Sequence, residues 1–362
     1  MSGGVDSSVA AALLKEQGHD LVGVTLHLWD ASGADKVGRC CAPEDRDDAR
    51  RTCEALGIPH FVIDEREAFR ETVVDPFVRA YRAGSTPSPC VACNQQVKLG
   101  RLATLADSLG CAHIATGHYA RLTLDAQGAP VLCRGRDRQK DQSYFLHGVA
   151  TGVLARMLFP LGELEKATTR AEGQRLGVPN FAKKDSQELC FVPDGDIGGF
   201  VDRRADARGD APMPAGVLKS ESGQVLGTHE GVHRYTIGQR RGLGLGGGPA
   251  RYVLRILAES AEVIVGDERG LEGDTLDVDH ASWIAPVPRE PFEASVQARY
   301  RHVAARTRVT PEGSGFRARF LEPQRALAPG QAAVVYLGER VLGGGTIART
   351  PMTRPDTSES AR

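Results

Sequence analysis

Seven residues at the start of the chain, Ser2-Gly3-Gly4-Val5-Asp6-Ser7-Ser8, place backbone amides, three hydroxyls and one carboxylate on a turn that leads into an Ala/Leu-rich helical stretch. Gly3 and Gly4 permit close backbone approach, Ser2, Ser7 and Ser8 can donate hydrogen bonds, and a helix N-terminus attracts negative charge. That combination suits a phosphate, with Asp6 placed to hold a Mg²⁺ bridging phosphate oxygens. The bland alternative is an amphipathic helix with a flexible lead-in. The GK[ST] signature of kinase-type phosphate loops is absent, which argues against γ-phosphate transfer. A second reactive stretch is STPSPCVACNQQVKLG, where Cys90 and Cys93 form a CxxC between Pro87/Pro89 and a helix expected to start at Asn94. A helix N-terminus lowers the pKa of a nearby thiol. A CxxC reads as zinc or as a redox pair, and zinc needs a second pair that Cys40, Cys41, Cys53, Cys111, Cys133 and Cys190 do not supply. Cys190 sits in the apolar run LCFV, either as a buried structural cysteine or as a partner thiol.

The elements that must hold these residues alternate. DLVGVTLHLW (20–29) and IPHFVID (58–64) read as buried strands, separated by a helix over 43–56 with Gly57 as its stop. A helix over about 65–82 and a strand in CAHIATGHYAR (111–121) follow. This alternation predicts a doubly wound α/β parallel sheet, with ligands at the carboxyl ends of the strands. Leu26 and Gly117 stand near such ends. Leu26 is either a core residue or a packing surface for a base, and Gly117 either a tight turn or a ligand contact. GRDRQKDQSYFL (135–146) reads as a solvated basic loop.

At 362 residues the chain exceeds what one core usually supports, so two or three domains are expected. Its hydrophobic content of 41% and charged content of 25% are those of a globular protein, and the net charge of −1 gives no global sign of nucleic acid. No apolar run approaches the ~18 residues of a membrane span and no signal peptide is evident, so a cytoplasmic protein with reduced thiols is expected. From about Asp206 the composition turns to Gly, short strands and turns, with a basic, exposed HEGVHRYTIGQRRGLGLGGG (229–248). After Gly270 the alternating runs ARYRHVAARTRV and GFRARFLE suggest a small barrel. Arg299, Arg301, Arg306, Arg308, Arg317 and Arg319 lie there with Tyr300 and Phe316 interleaved and only Glu312 opposing, a pattern that fits phosphate-backbone binding or a solvated β face. The expected division is 1–200, 206–270 and 271–350, with a disordered tail over 351–362.

Taken together, SGGVDSS, the CxxCN segment, ATGHYAR, KDQSYFL, the DSxxxCF segment, HxGxxxYTIGQRRGLG and the late PGQ…LGGG resemble the bacterial tRNA-specific 2-thiouridylase family of the ATP-pyrophosphatase superfamily, in the family's order along nearly the whole chain. The resemblance implies an adenine-nucleotide α-hydrolase-like catalytic domain followed by two small β domains, the last a β-barrel. It implies ATP-dependent adenylation of the wobble uridine 2-carbonyl in tRNAs for Lys, Glu and Gln, and replacement of that oxygen by sulfur from a persulfide donor protein. Residue by residue it implies ATP at Ser2, Gly3, Gly4, Val5, Asp6, Ser7, Ser8, Leu26 and Gly117, with Asp6 near Mg²⁺. Cys93 matches the nucleophile and Cys190 the persulfide carrier; attack by Cys93 on the inner sulfur would release the outer one and leave a Cys93–Cys190 disulfide. Ser88, Pro89 and Cys90 would border the target base, which must leave its stack. His118, Lys140, Asp141, Gln142, Arg299, Tyr300 and Gln331 would touch tRNA.

Three departures stand out. Many members have Asp where Cys90 stands, Leu26 replaces a more usual Met, and the strand that precedes the loop in the family would end where Met1 lies. Cys90, Cys93 and Cys190 together would also suit a [4Fe–4S] cluster with an open iron; the persulfide route is preferred because no fourth cysteine has cluster spacing. Two other readings remain: another ATP-pyrophosphatase synthetase acting on a small molecule, which needs no distant thiols, and a non-catalytic RNA-binding protein that does not turn over ATP.

Overall fold

The computed structural model describes residues 1–30, 43–185, 189–246 and 248–348; Cys40, Cys41, the 351–362 tail and the middle of the DSxxxCF segment (186–188) lie outside them. Helix α1 (Val5–Glu16) is buried on opposite sides, with Val5, Val9 and Ala12 on one and Ala10 and Leu14 on the other. It stops where Gly18 adopts a φ of 86°, a left-handed turn that suits glycine. Strand β1 (Gly23–His27), helix α2 (Pro43–Leu56) and strand β2 (His60–Asp64) follow, and the two strands pair in parallel from Gly23↔His60 to His27↔Asp64. The expected helix to Arg82 is present over 66–82, with a π-helical stretch at Arg70–Val74.

Strand β3 (Ile114–Ala115), the hairpin β4 (Ala120–Leu124) and β5 (Pro130–Arg134), and β6 (Met157–Leu158) complete this part, with β6 returning to pair in parallel with β3. The parallel α/β arrangement expected from sequence is therefore present as two hydrogen-bonded pairs, β1–β2 and β3–β6, which do not bond each other among the described residues. The serine/glycine loop lies between them. Thr25 on β1 donates to the Met1 carbonyl at 2.8 Å, and Gly117 beyond β3 abuts the Asp6–Ser7 backbone.

A central sheet of β7 (Gly216–Ser220), β8 (Val225–His229), β9 (Tyr252–Leu257) and β10 (Glu262–Gly266) is ordered β8-β7-β10-β9 around Leu218, Val253, Val263 and Val265. Its glycines from Gly242 are exposed where described, but His229, Val232, His233, Tyr235 and Leu243 are buried, so the first half of 229–248 is core rather than surface. Then β11 (Glu272–Trp283), β12 (Phe292–Gln297), β13 (Ala305–Glu312), β14 (Gly315–Arg325), β15 (Ala332–Leu337) and β16 (Arg340–Ile347) form a barrel that β11 and β16 close.

The LGGG motif makes that closure possible. A Cβ on Gly343 would lie 2.2 Å from the Ser282 carbonyl oxygen, one on Gly344 2.5 Å from that of Ala333, and one on Gly345 2.6 Å from that of Asp279. Only glycine lets β16 fit between β11 and β15.

The barrel also meets the first domain. The hairpin β4–β5 joins its sheet through Arg340↔Cys133, and Tyr144, Leu146, Val149, Val334, Tyr336 and Val341 share one core cluster. The Arg134 guanidinium lies 3.4 Å from the Tyr336 ring centroid and bonds Asp141 and Gln297 at 3.1 Å each. A stacked, half-buried arginine of this kind ties two domains together.

Candidate active site

Residues 2–8 form a tight turn that runs into the N-terminus of α1. Gly4 caps α1 in an extended conformation with no side chain bonded across it, so the first amides of the helix remain available to a ligand. Gly3 has a φ of 71°, and a Cβ there would sit 2.0 Å from the Asp45 carbonyl oxygen. Ser2 and Ser7 hydroxyls are 3.1 Å apart, and the Ser8 hydroxyl turns back to the Gly4 carbonyl at 3.0 Å. Ser8 therefore braces the turn, while Ser2 and Ser7 line it. A Cβ on Gly117 would lie 2.6 Å from the Ser7 nitrogen, so Gly117 borders the loop by direct backbone approach.

Sequence reasoning missed the cations that hold this loop. Lys183 Nζ donates to the Gly3 carbonyl at 3.1 Å and to Asp45 and Asp48 at 2.5 Å each, and Asn180 Nδ2 donates to the same carbonyl at 2.9 Å. Burial works against the Lys183 charge, but its two carboxylate partners outweigh it and raise the pKa. Asp6 accepts from Lys166 at 2.6 Å and from the Tyr119 hydroxyl at 3.1 Å. Lys166, Lys140 and Arg170 all converge on Asp185 at 2.7–2.9 Å. Burial opposes its charge, yet the Lys140 and Lys166 ammoniums hold the Asp185 carboxyl down at about 2. Lys140, Lys166, Arg170 and Lys183 thus face Asp6, Asp45, Asp48 and Asp185, four cations against four carboxylates beside the loop. The only available sequence signal was the Lys183-Lys184-Asp185 run, which is silent about its partners.

The thiols are placed by helix and core. Ser88 caps a helix that begins at Pro89, not at Asn94, and continues as a π-helix over Cys93–Lys98 and an α-helix over Leu99–Ser108. Proline is well suited to a first helical turn, so the start moves upstream and brings Cys90 and Cys93 into the helix itself. Cys90 is exposed and Cys93 is 5% exposed. Cys93 belongs to an apolar cluster with Phe69, Phe77, Phe191 and Phe200, and Leu26, Trp29 and Cys190 pack against that cluster. Phe191 stacks edge-on to Phe77 with centroids 5.0 Å apart, which fixes the segment carrying Cys190. Leu26 and both thiols, about 165 residues apart at the extremes, thus share one patch of core. Among the described residues no group of three or more His, Cys, Asp or Glu side chains is arranged to hold a metal ion.

The residues expected to touch tRNA divide. His118 Nδ1 lies 2.9 Å from the Thr116 hydroxyl, and burial together with Lys98 pushes its pKa down to about 3, so the ring is neutral at physiological pH. Asp141 is buried and accepts from the Gly135 and Ser143 amides, the Ser143 hydroxyl and Arg134. Gln142 is engaged with both polar atoms of the Tyr119 backbone, at 2.8 and 3.1 Å. The loop over 135–146 is therefore pinned rather than solvated; its side chains at Asp141 and Gln142 shape the turn that presents Lys140.

On the barrel, Arg299, Arg301, Arg306, Arg308, Arg317 and Arg319 are all exposed. Phe316 is 2% exposed and belongs to the barrel core, so it does not interleave with them. Neighbouring strands also supply acids the linear pattern hid: Arg317 pairs with Asp277 at 2.7 Å and Arg306 with Glu293 at 3.6 Å. Arg308 and Arg319 are register partners across β13 and β14, like charges side by side. Tyr300 packs on Phe145 of the first domain at 4.3 Å, and Arg301 beside it holds a left-handed φ of 65°. Gln331 donates from Nε2 to the Thr86 carbonyl at 2.7 Å and the Pro87 carbonyl at 3.3 Å.

Three family models match the chain in succession. Residues 1–194 match a family model described as the tRNA methyl transferase HUP domain, 209–267 its PRC-barrel domain, and 273–347 an aminomethyltransferase β-barrel domain. A relative from Sorangium cellulosum named tRNA-specific 2-thiouridylase MnmA is 51% identical over 354 residues, covering 96% of this chain and 90% of the relative. One of the same name from Magnetococcus marinus is 45% identical over 352 residues, covering 96% and 97%. A U34-tRNA thiolase from Methanococcus maripaludis solved with its [4Fe-4S] cluster aligns over 57% of this chain and 62% of its own at 16% identity, with a TM-score of 0.33 that supports no argument.

Proposed function

The chain belongs to the tRNA-specific 2-thiouridylase family, and from that membership we propose that it is a tRNA-uridine 2-sulfurtransferase, converting the wobble uridine of tRNA to 2-thiouridine at the expense of ATP. The observation that carries this reading is the shared core patch of Cys93, Cys190 and Leu26, in the same domain as the Gly3–Gly4 turn into α1. The family models' descriptions mention methyl transfer, but a phosphate-type loop and two thiols in one domain suit activation and sulfur delivery.

A uridine carbonyl oxygen leaves poorly; adenylation makes it a phosphate ester that departs as AMP. The amides of α1, Ser2 and Ser7 bind the phosphates, and the cations around Asp6 and Asp185 offset their charge. Asp6 would hold a Mg²⁺ arriving with the nucleotide, and the ion would there offset phosphate charge. Cys190 carries the persulfide. Its outer sulfur replaces the activated oxygen, and Cys93 attacks the inner sulfur, closing a Cys93–Cys190 disulfide that a thiol reductant reopens. Ser88, Pro89 and the exposed Cys90 border the extruded base, while Lys140 and the exposed barrel arginines meet the tRNA backbone. The tRNAs are those for Lys, Glu and Gln, and a persulfide-bearing protein is the sulfur source.

The test is AMP release with and without tRNA. This reading expects AMP to depend on tRNA; AMP formed equally without it would indicate a small-molecule synthetase, and none in either case a non-catalytic RNA-binding protein.

A further inference from the structure

The strand of chain that enters the Cys90–Cys93 helix is held from outside its own domain. The Thr86 amide donates to the Pro329 carbonyl at 2.9 Å, and its carbonyl accepts from Gln331 Nε2 at 2.7 Å. Both backbone groups of Thr86 are thus engaged by the barrel turn Pro329-Gly330-Gln331. Gly330 has a φ of 90°, and a Cβ there would lie 3.0 Å from the Thr86 carbonyl, so the turn lies flat on the loop. Next door, the Tyr144 hydroxyl donates to the barrel's Ala332 carbonyl at 2.8 Å. Gln331 is itself fixed, because the Ile347 amide donates to its carbonyl at 2.8 Å and its amide donates to Ala328 at 3.2 Å.

We propose that Gln331 is a positioning residue: its carboxamide clamps Thr86 and Pro87 onto the barrel and thereby sets where the Cys90–Cys93 helix begins. A loop preceding a helix start is otherwise unanchored, and Pro87 and Pro89 contribute no amide donors of their own. The barrel's two hydrogen bonds on Thr86 replace the missing internal ones. A shift of about 1 Å in a reacting group costs on the order of a hundredfold in rate, so a clamp at this point acts on chemistry without touching the reacting atoms. The role differs from the tRNA contact that resemblance assigns to Gln331, since the donating nitrogen faces protein backbone. The proposal rests on the thiolase reading for the consequence in catalysis, but not for the clamp.

The experiment uses the full chain with Gln331→Glu, which keeps size and removes the donor, and Gly330→Ala as a second variant that presses on Thr86 from the same turn. Alkylation of each cysteine by iodoacetamide is followed by mass spectrometry without RNA or ATP, with buried Cys53 of the α2 core as the internal monitor of global unfolding. Both variants are expected to raise the Cys93 alkylation rate at least about fivefold with Cys53 unchanged. In thiolation assays kcat should fall about tenfold or more while tRNA Kd stays within about twofold. Unchanged Cys93 reactivity with weakened tRNA binding would overturn the clamp in favour of an RNA contact. Unchanged reactivity, kcat and binding would overturn it altogether, and so would a parallel rise at Cys53 in both variants, which would make the turn merely structural. Because the alkylation arm needs no tRNA, a wild-type protein that fails to thiolate would sink the functional reading and leave this arm intact.

Discussion

In the proposed mechanism Cys93 and Cys190 act in bond making, so each substitution by Ser should abolish 2-thiouridine formation while tRNA Kd changes by less than about twofold. Filter binding and nucleoside analysis on the same preparations check this; a variant that still thiolates removes its residue from the chemistry. Lys183 is a different kind of residue, because it touches the phosphate loop only through the Gly3 carbonyl. Hydrogen bonds from a charged donor contribute about 1.5–3 kcal/mol each, so Lys183→Ala should raise KM for ATP roughly tenfold or more by freeing Gly3 and leaving Asp45 and Asp48 without their cation. Asp185 carries a pH signature. Its folded pKa of about 2 lies below the ordinary 3.8, so its contribution to stability is present above pH 4 and is lost as pH falls towards 2. Urea midpoints measured between pH 5 and 2.5 should therefore fall less steeply in Asp185→Asn than in the wild type. The serines, glycines and cysteines of the site were readable in sequence because their types and spacing are local. Lys166 and Lys183 were not, because a lysine's partner 135–160 residues away leaves no mark on its neighbours.

At the scale of elements, Arg308 and Arg319 form the telling pair. Like charges facing across two strands destabilise the bare protein, and a polyanion reverses that penalty. Arg308→Ala and Arg319→Ala should each reduce the slope of log K for tRNA against log salt by about 0.7–0.9, whereas Arg317→Ala, whose charge is already balanced by Asp277, should reduce it less. Equal slopes for all three would make the stripe a solvated face. The sequence placed these arginines on an alternating strand but put Phe316 on the same surface. Period-2 alternation tells which residues share a face, not which face is inside, and β14 turns Phe316 inward beside Ala318 and Phe320. The helix start at Pro89 shows the same limit. Asn94 reads as a cap from its type alone, yet Pro89 is already preorganised for the first turn and takes that place. The hairpin β4–β5 was missed because five-residue strands in a mixed region give little periodicity.

The whole molecule is organised so that the α/β domain and the barrel meet along the β4–β5 hairpin, a shared core cluster and the Thr86 loop. The barrel closes through Gly343, Gly344 and Gly345, contributes Tyr336 as the plate on which Arg134 stacks, and reaches the Thr86 backbone with Gln331. In the proposed mechanism the α/β domain handles phosphate at α1 and sulfur around Phe191, where Leu26 packs against the cluster of Cys93. Domain order and barrel character were legible from composition shifts and alternation, whereas the interdomain contacts depend on pairs hundreds of residues apart. No helix among the described residues is long and apolar enough to cross a membrane. The measurement that tests the account most directly is nucleoside mass analysis of unmodified tRNA incubated with the full chain, ATP, Mg²⁺ and a persulfide donor, with AMP counted in parallel. The account predicts 2-thiouridine at the wobble position and one AMP for each sulfur introduced; AMP that accumulates on tRNA free of 2-thiouridine would contradict it.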